Sequence, residues 1–220
     1  MKKAALLISI AALTGCLQEA SDIKTSLSSE DIQNVENLQI DRLFLQQLSA
    51  NSVMIKWRGN KDKVSLGKSP DELDLVFEAS IEAGHRIAKV SNLEPDTSYF
   101  YSIGNRESDP QTHRFRTAPL TGSLPSDGDI RFWLLGDSGT ATEFDRDGNP
   151  SHPGEAEAVL NGFLSYNSSI AGDQHIDGVL LLGDNAYPAG TDAEWQGAFF
   201  DIYPEILRSS VVLPTIGNHE

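Results

Sequence analysis

The chain has 220 residues, of which 39% are hydrophobic and 8% are aromatic. This is enough apolar content for a packed core and too much for a disordered chain, and the length allows one large domain or two modest ones. The net charge is −15, and residues 119–220 hold 16 acidic residues against 3 basic ones. Such a surface repels the phosphates of DNA and RNA, which excludes a non-specific nucleic-acid-binding protein. Composition leaves open whether these carboxylates form ordinary solvated surface or gather around metal ions.

The N-terminal segment has the pattern of a secretory signal. Lys2 and Lys3 precede an apolar run from Ala4 to Leu13, and small residues follow before Cys16. The run is too short to cross a hydrocarbon core about 30 Å thick, and no polar residues alternate with it as they would in a helix on a domain core. Cys16 is the only cysteine, so an intramolecular disulfide is impossible.

Leu13-Thr14-Gly15-Cys16 resembles the lipobox of bacterial lipoproteins. The resemblance implies that residues 1–16 are a lipoprotein signal peptide and that Cys16 becomes the lipidated N-terminus. Several acyl chains hold a protein stably on a membrane, whereas one binds only marginally. The implied location is the bacterial cell envelope, at the outer membrane or cell surface. Residues 17–37 are polar and predict a flexible tether between anchor and domains.

Residues 38–118 predict an antiparallel β-sandwich. Short alternating runs are separated by turn signals at regular intervals, which is typical of this architecture. In the run from Tyr99 to Ile103, positions 99, 101 and 103 share one face. The other alternating runs are Val53 to Trp57, Leu73 to Phe77 and His85 to Val90.

The stretch from Leu93 to Tyr101 resembles the penultimate-strand entry of fibronectin type III domains. Phe115-Arg116-Thr117 is similar to their closing strand, and Trp57 lies where their early core tryptophan falls. Because a sandwich fold alone says nothing about a ligand, the expected role of this module is structural or binding. Residues 119–129, rich in Pro, Gly and Ser, predict a linker to the next domain.

Residues 130–220 predict an incomplete α/β domain with the order βαβαβ. The apolar strands run from Ile130 to Leu135, Gly178 to Leu182 and Val211 to Ile216. Near-continuous apolar strands favour a parallel sheet covered by helices on both faces. The first predicted helix presents an apolar face, and the second opens with capping-box spacing at Thr191 and kinks at Pro204. The two apolar faces consist of Ala156, Val159, Leu160, Phe163 and Leu164, and of Trp195, Ala198, Phe199, Ile202 and Ile206.

Each of the three strands ends in a glycine followed by polar residues. Ligands of parallel sheets bind beyond the carboxyl ends of the strands, and glycine lets the backbone approach a bound ion closely. One aspartate after a strand is commonplace, but three glycine-and-donor ends in succession favour a functional site. The residues expected to converge there are Asp137, Asp184, Tyr187, Asn218 and His219.

The motifs Gly-Asp-x-Gly, Gly-Asp-x-x-Tyr and Gly-Asn-His-Glu resemble the first three of five sequence blocks of the calcineurin-like metallophosphoesterases. Gly139 stands where most of that superfamily has a histidine, and Tyr187 stands where purple acid phosphatases add a tyrosinate. A preceding fibronectin-like module is also typical of plant-type purple acid phosphatases. The resemblance extends over residues 38–220.

The resemblance implies an acid phosphatase that hydrolyses phosphate monoesters at a binuclear metal centre. Asp137 and Tyr187 would bind the first metal, Asp184 would bridge both, and Asn218 would bind the second. His219 would contact the substrate phosphate and the leaving group as the catalytic residue. Phenolate and carboxylate oxygens suit Fe³⁺, and an amide oxygen suits a divalent ion such as Zn²⁺, Mn²⁺ or Fe²⁺.

The later blocks of this family supply three more histidine ligands, and neither block is found in these 220 residues. The expectation is therefore that the chain is the N-terminal part of a longer enzyme, nearly inactive alone, with its third strand at an exposed sheet edge. His152 and His175 are predicted to be ordinary loop residues, and residues 145–149 a plain turn rather than a calcium loop. Two alternatives stay open: a phosphodiesterase of the same superfamily, and a non-catalytic surface-binding lipoprotein.

Overall fold

Among the described residues, the strands form two sheets, one of seven strands and one of four. The computed structural model describes residues 40–104, 113–139, 153–171 and 176–220, and residues Asp41–Glu220 form one compact unit. The signal peptide, Cys16, the tether, His152, His175 and residues 145–149 lie outside the described residues. None of the described helices has the length and hydropathy that a membrane span requires.

Eight strands make up the first half of the unit. They are β1 (Asp41–Gln46), β2 (Val53–Arg58), β3 (Lys63–Gly67), β4 (Leu75–Glu78), β5 (Ser80–Glu82), β6 (His85–Val90), β7 (Ser98–Ile103) and β8 (His113–Arg116). Neighbouring strands β5-β6-β2-β1 pair antiparallel in the larger sheet, and β4-β3-β7-β8 do so in the smaller one. The predicted antiparallel β-sandwich is confirmed, although β1, β3 and β5 were not among the predicted strands.

The residues that the alternating pattern of residues 99–103 predicts to share one face lie in the sandwich core. Tyr99, Tyr101 and Ile103 are buried on one face of β7, and the Trp57 side chain is fully buried. The Tyr99 hydroxyl accepts a 3.0 Å hydrogen bond from the backbone N–H of Glu94. A tyrosine that bonds the backbone a few residues upstream, at the corner entering a late strand, is a recurrent feature of immunoglobulin-type sandwiches.

The second half contains three strands and intervening helices. They are β9 (Phe132–Leu135), α1 (Pro153–Ala171), β10 (Gly178–Leu181), α2 (Asp192–Trp195), a π-helical turn (Gln196–Phe200), α3 (Pro204–Leu207) and β11 (Val211–Leu213). Strand β10 pairs in parallel with both β9 and β11. The βαβαβ order and the parallel pairing are therefore as predicted.

Strand β11 does not form a sheet edge. It pairs in parallel with β1, with Leu45 opposite Val211, so one sheet runs through both the sandwich and the α/β segment. The expected exposed edge at the third strand is wrong, because a strand from the sandwich satisfies it. Within the described residues the edges of this sheet are β5 and β9.

Only one face of the parallel strands is covered by the described helices, which corrects the expectation of cover on both faces. Trp133 and Leu135 are buried, whereas Phe132 is 45% and Leu134 57% exposed. Both helical segments pack on the same side, where the Trp133 and Phe163 rings stack at 4.1 Å. The core on that side also includes Phe44, Val179, Leu181, Phe199, Tyr203, Ile206, Leu207 and Val212.

The helices follow most of the predicted apolar pattern, with two exceptions. In α1, Leu160, Phe163 and Leu164 pack against the core, but Val159 is 54% exposed because the stripe is narrower than predicted. Thr191 and Glu194 form the predicted capping box of α2. Pro204 does not kink a continuous helix: the π-helical turn ends before it, and Pro204 starts α3, where a missing N–H costs nothing.

An ion-pair cluster joins α2 to the sandwich. The Asp192 carboxylate lies 2.8 Å from Arg42 Nη1 and 2.6 Å from Arg58 Nη2. The Arg42 side chain is only 5% exposed, so Asp192 supplies the countercharge of a nearly buried cation. These guanidinium groups, Arg58 first, hold the pKa of Asp192 well below its usual range.

Candidate metal centre

The three polar strand ends meet at one edge of the parallel sheet. Asp137 follows β9 by two residues, Asp184 and Tyr187 follow β10, and His219 lies beyond β11. The first two loops are joined directly, since the Asp137 N–H donates a 3.2 Å hydrogen bond to the Gly183 carbonyl. The convergence of these loops therefore follows from the parallel pairing of the strands that carry them.

Close backbone approach explains the glycines in front of these residues. A Cβ on Gly217 would lie 2.1 Å from Asp184 Oδ1, and one on Gly183 would lie 2.9 Å from the Gly217 Cα. Asp137 and Asp184 both have φ near +52°, in the left-handed region that aspartate tolerates better than most residues. Larger residues at the two glycines would push the loops apart.

There is no space for a side chain at Gly139, the position where most calcineurin-like metallophosphoesterases have a histidine. A Cβ there would lie 2.6 Å from the Asn185 carbonyl oxygen and 2.7 Å from the Ala198 Cβ. The Tyr187 N–H donates a 3.0 Å hydrogen bond to the Gly139 carbonyl. The chain thus has no room for a histidine at 139, and the backbone there supports Tyr187 instead.

Tyr187 links the two aspartates. Its hydroxyl donates a hydrogen bond to Asp137 Oδ1 and lies 3.3 Å from Asp184 Oδ2. Burial, reinforced by the hydrogen bond to Asp137 and the charges of both carboxylates, raises the pKa of Tyr187 well above its usual range. In the metal-free protein the phenol is therefore protonated, and binding of a cation by its oxygen would release that proton.

His219 is held against the same group. Its backbone N–H donates a 2.9 Å hydrogen bond to Asp184 Oδ1, and its ring centroid lies 4.5 Å from that of Tyr187. Nδ1 lies 2.9 Å from the Pro188 carbonyl oxygen. Because a carbonyl only accepts hydrogen bonds, this contact assigns the proton to Nδ1 and leaves Nε2 free to exchange a proton with a ligand.

Asn218 is the predicted site residue with the least support. It is exposed and lies between Gly217 and His219. Among the described residues, no hydrogen bond joins its side chain to Asp137, Asp184, Tyr187 or His219. Its expected metal-binding role stays a prediction.

Glu220 was given no role by the sequence analysis, although its carboxylate lies at this site. It accepts hydrogen bonds from the backbone N–H groups of Asp184, Asn185 and Gly217. Burial would raise the pKa of Glu220, but these N–H groups lower it below its usual value. The only signal in the sequence was its place directly after Gly-Asn-His.

The donor set suits a hard cation. Within the described parts of the chain there is no group of three or more His, Cys, Asp or Glu side chains placed to hold a metal. The oxygens of Asp137, Tyr187 and Asp184 are nevertheless linked by hydrogen bonds, and carboxylate and phenolate oxygens are the ligands that hard ions prefer. The cluster therefore fits a cation that replaces the phenol proton.

No family model and no curated protein matches the chain. Among solved structures, the structure of PhoD matches 80% of this chain at 12% identity with a TM-score of 0.48, and the chain spans 38% of its length. The fibronectin type III domain from human KIAA0970 protein matches 46% of the chain at 13% identity, over 91% of that domain, with a TM-score of 0.30. The sensor domain of the anti-sigma factor RsgI4 from Pseudobacteroides cellulosolvens matches 39% at 14% identity, over 99% of that domain, with a TM-score of 0.28. With similarities this distant, the functional argument rests on the chain's own residues.

Proposed function

We propose that this chain belongs to a metal-dependent acid phosphatase that hydrolyses phosphate monoesters. The observation that carries the proposal is the Asp137–Tyr187–Asp184 cluster at the carboxyl ends of parallel strands. There the Tyr187 hydroxyl is hydrogen-bonded to both carboxylates, so three side-chain oxygens able to bind a cation lie together. Such an edge is the usual ligand-binding position of parallel sheets. The motif resemblance to purple acid phosphatases adds the reaction class.

In the proposed site, Asp137 and Tyr187 would hold Fe³⁺, Asp184 would be shared with a divalent ion (Zn²⁺, Mn²⁺ or Fe²⁺), and Asn218 would bind that second ion. The ions would supply charge neutralisation of the phosphate and a bound water that is easier to deprotonate. These four residues would supply only five metal–ligand bonds, with Asp184 counted at both ions, so the remaining coordination positions would fall to water, phosphate or further side chains.

His219 is the proposed catalytic residue. Its Nδ1 is engaged by the Pro188 carbonyl, so Nε2 is the nitrogen left for the substrate. In the imidazolium form, which carries a proton on both nitrogens, Nε2 would hydrogen-bond the phosphate and give its proton to the leaving oxygen. The tilted ring contact with Tyr187 and the backbone hydrogen bond to Asp184 hold His219 beside the proposed metal ligands. The imidazole is thus oriented without using its reactive nitrogen.

The test is hydrolysis by the native protein supplied with Fe³⁺ and Zn²⁺. We expect p-nitrophenyl phosphate to be cleaved faster than bis-p-nitrophenyl phosphate. Asp184→Asn should reduce kcat/KM by more than about 100-fold, since even changes behind metal ligands cost 10–100-fold. Asp74→Asn, an exposed carboxylate of the sandwich, is the matched control and should leave the rate unchanged.

Three outcomes would contradict the proposal. Faster cleavage of the diester would indicate a phosphodiesterase. Turnover that survives Asp184→Asn would remove the bridging role, and no turnover at all by the native, metal-supplied protein would favour a non-catalytic surface-binding lipoprotein.

We also propose that Cys16 is lipidated and attaches the protein to a bacterial outer membrane or cell surface. The support is the sequence pattern of residues 2–16. Mass spectrometry of the native N-terminus tests it: acyl chains on Cys16 are expected, and an unmodified Cys16 or an intact residue 1–16 segment would contradict it.

A further inference from the structure

The Glu220 carboxylate bridges two of the loops that form the candidate metal centre. Oε2 accepts a 3.0 Å hydrogen bond from the Asp184 N–H and a 2.6 Å hydrogen bond from the Gly217 N–H. Oε1 accepts from the Asn185 N–H. One side chain therefore binds the loop after β10 and the loop after β11 at the same time.

The backbone amides that bond Glu220 belong to predicted metal ligands or to residues next to them. Asp184 is the proposed bridging ligand and has a left-handed backbone, with φ of 52°. Gly217 directly precedes Asn218 and His219. Hydrogen bonds to an ionised carboxylate are about twice as strong as those between neutral groups, so Glu220 can hold a backbone conformation that is otherwise disfavoured.

Gly190 lies close to the backbone of Glu220. A Cβ on Gly190 would lie 2.7 Å from the Glu220 Cα and 2.9 Å from the His219 carbonyl oxygen. The loop after β10 thus packs on Glu220 from Gly190 as well as bonding its carboxylate. This contact fixes the backbone from which the carboxylate reaches both loops.

We propose that Glu220 is a positioning residue of the candidate metal centre: it locks the loop of Asp184 to the loop of Asn218 and His219 before a metal ion binds. The expected effect of Glu220 on metal binding rests on the proposed function. The hydrogen bonds by which Glu220 holds the two loops together do not depend on a metal ion. Glu220 acts through the backbone of its neighbours and is not assigned as a ligand.

Glu220→Gln tests this with little change of shape. The amide retains one acceptor oxygen and turns an N–H₂ group toward a backbone donor, so at least one of the three hydrogen bonds is lost. In the metal-free chain we expect hydrogen exchange at the amides of residues 184, 185 and 217 to become faster by about tenfold or more. Glu157→Gln, an exposed glutamate on α1, is the matched control and should change none of these rates.

The second measurement is binding of Zn²⁺ alone, by titration calorimetry. Glu220→Gln should weaken the affinity about 10–100-fold while the thermal midpoint of the metal-free protein stays close to that of Glu157→Gln. Unchanged exchange rates, or equal Zn²⁺ affinity in a variant with faster exchange, would overturn the positioning role.

The two proposals fail differently. If the unaltered protein binds no Zn²⁺, the metal centre is wrong, and exchange alone decides whether Glu220 locks the loops. If Glu220→Gln does not fold, Glu220→Asp keeps the charge but shortens the reach by one methylene, and faster exchange at the same three amides is again the expected result.

Discussion

At the residue scale, the glycines of the site matter because they have no side chain. Gly139, Gly183 and Gly217 each stand where a Cβ would meet an atom of a neighbouring loop at less than 3 Å. The sequence marks these positions only as turn formers. Their actual role is to let three strand ends approach until Tyr187 reaches both aspartates.

Gly139→Ala measures the cost of that approach. The added methyl would lie 2.6–2.8 Å from Asn185 and Ala198 atoms, and overpacking of this kind destabilises by about 1–3 kcal/mol. Gly162→Ala in α1 is the control, because nothing lies within 4 Å of its Cβ and alanine should stabilise the helix by about 0.5–1 kcal/mol. Urea unfolding of both variants gives the two free energies, and a Gly139→Ala variant as stable as the parent would show that the site relaxes freely.

At the element scale, the contact between α2 and the sandwich depends on Asp192. Arg42 also donates its Nε to the side-chain oxygen of Gln196, and Gln196 in turn donates to Asp41. Strand β1 and the helical segment are therefore connected by a chain of charged and polar groups. This connection supplements the pairing of β1 with β11.

The pH dependence of stability should report this contact. The pKa of Asp192 is lowered from 3.8 in the folded chain, so its contribution to stability is complete above about pH 5 and is lost as the pH falls through and below 3.8. We expect the unfolding free energy of the unaltered chain to fall more steeply between about pH 4 and pH 2 than that of Asp192→Asn. Urea unfolding at several pH values is the measurement, and parallel curves for the two proteins would contradict it.

At the scale of the whole molecule, one sheet combines antiparallel and parallel strands but is covered unequally. Within the described part of the chain the helices cover one face, and the opposite face of β9 to β11 carries exposed apolar side chains. Those at least 43% exposed on or next to these strands are Ile130, Phe132, Leu134, Leu182, Leu213 and Ile216. Contiguous exposed apolar surface of this kind is uncommon on a monomeric protein.

This face should bind an apolar dye. Leu134 and Leu213 both lie opposite Leu180 in the sheet register, one on each side, so they belong to one continuous patch. The double variant Leu134→Gln with Leu213→Gln should lower 8-anilinonaphthalene-1-sulfonate fluorescence of the folded chain substantially. Leu75→Gln with Val76→Gln, on β4 of the smaller sheet, serves as the control for exposed apolar residues elsewhere. An equal loss of fluorescence in the two double variants would show that the dye does not bind specifically to the exposed face of β9 to β11.

The sequence by itself predicted several local features and four of the side chains that converge at the candidate site. Alternation at residues 99–103 predicted a strand and the spacing at Thr191 predicted a helix start, because both depend on neighbours in the chain. The apolar runs located the three parallel strands, although the third ends at Leu213 and not at the predicted Ile216. Asp137, Tyr187, Asp184 and His219 were predicted to converge, and the structure joins them by hydrogen bonds and a ring contact.

Only the tertiary structure decided which strands pair and which faces are covered. The pairing of β1 with β11 joins residues more than 160 positions apart, and no local pattern encodes such a partner. The sequence also could not separate Val159 from Leu160, since both are apolar and only the position of the sheet selects the buried one. The role of Glu220 could not be predicted from the sequence either. Its hydrogen-bond partners are backbone N–H groups, which every residue but proline carries, and they converge on one carboxylate only in the folded chain.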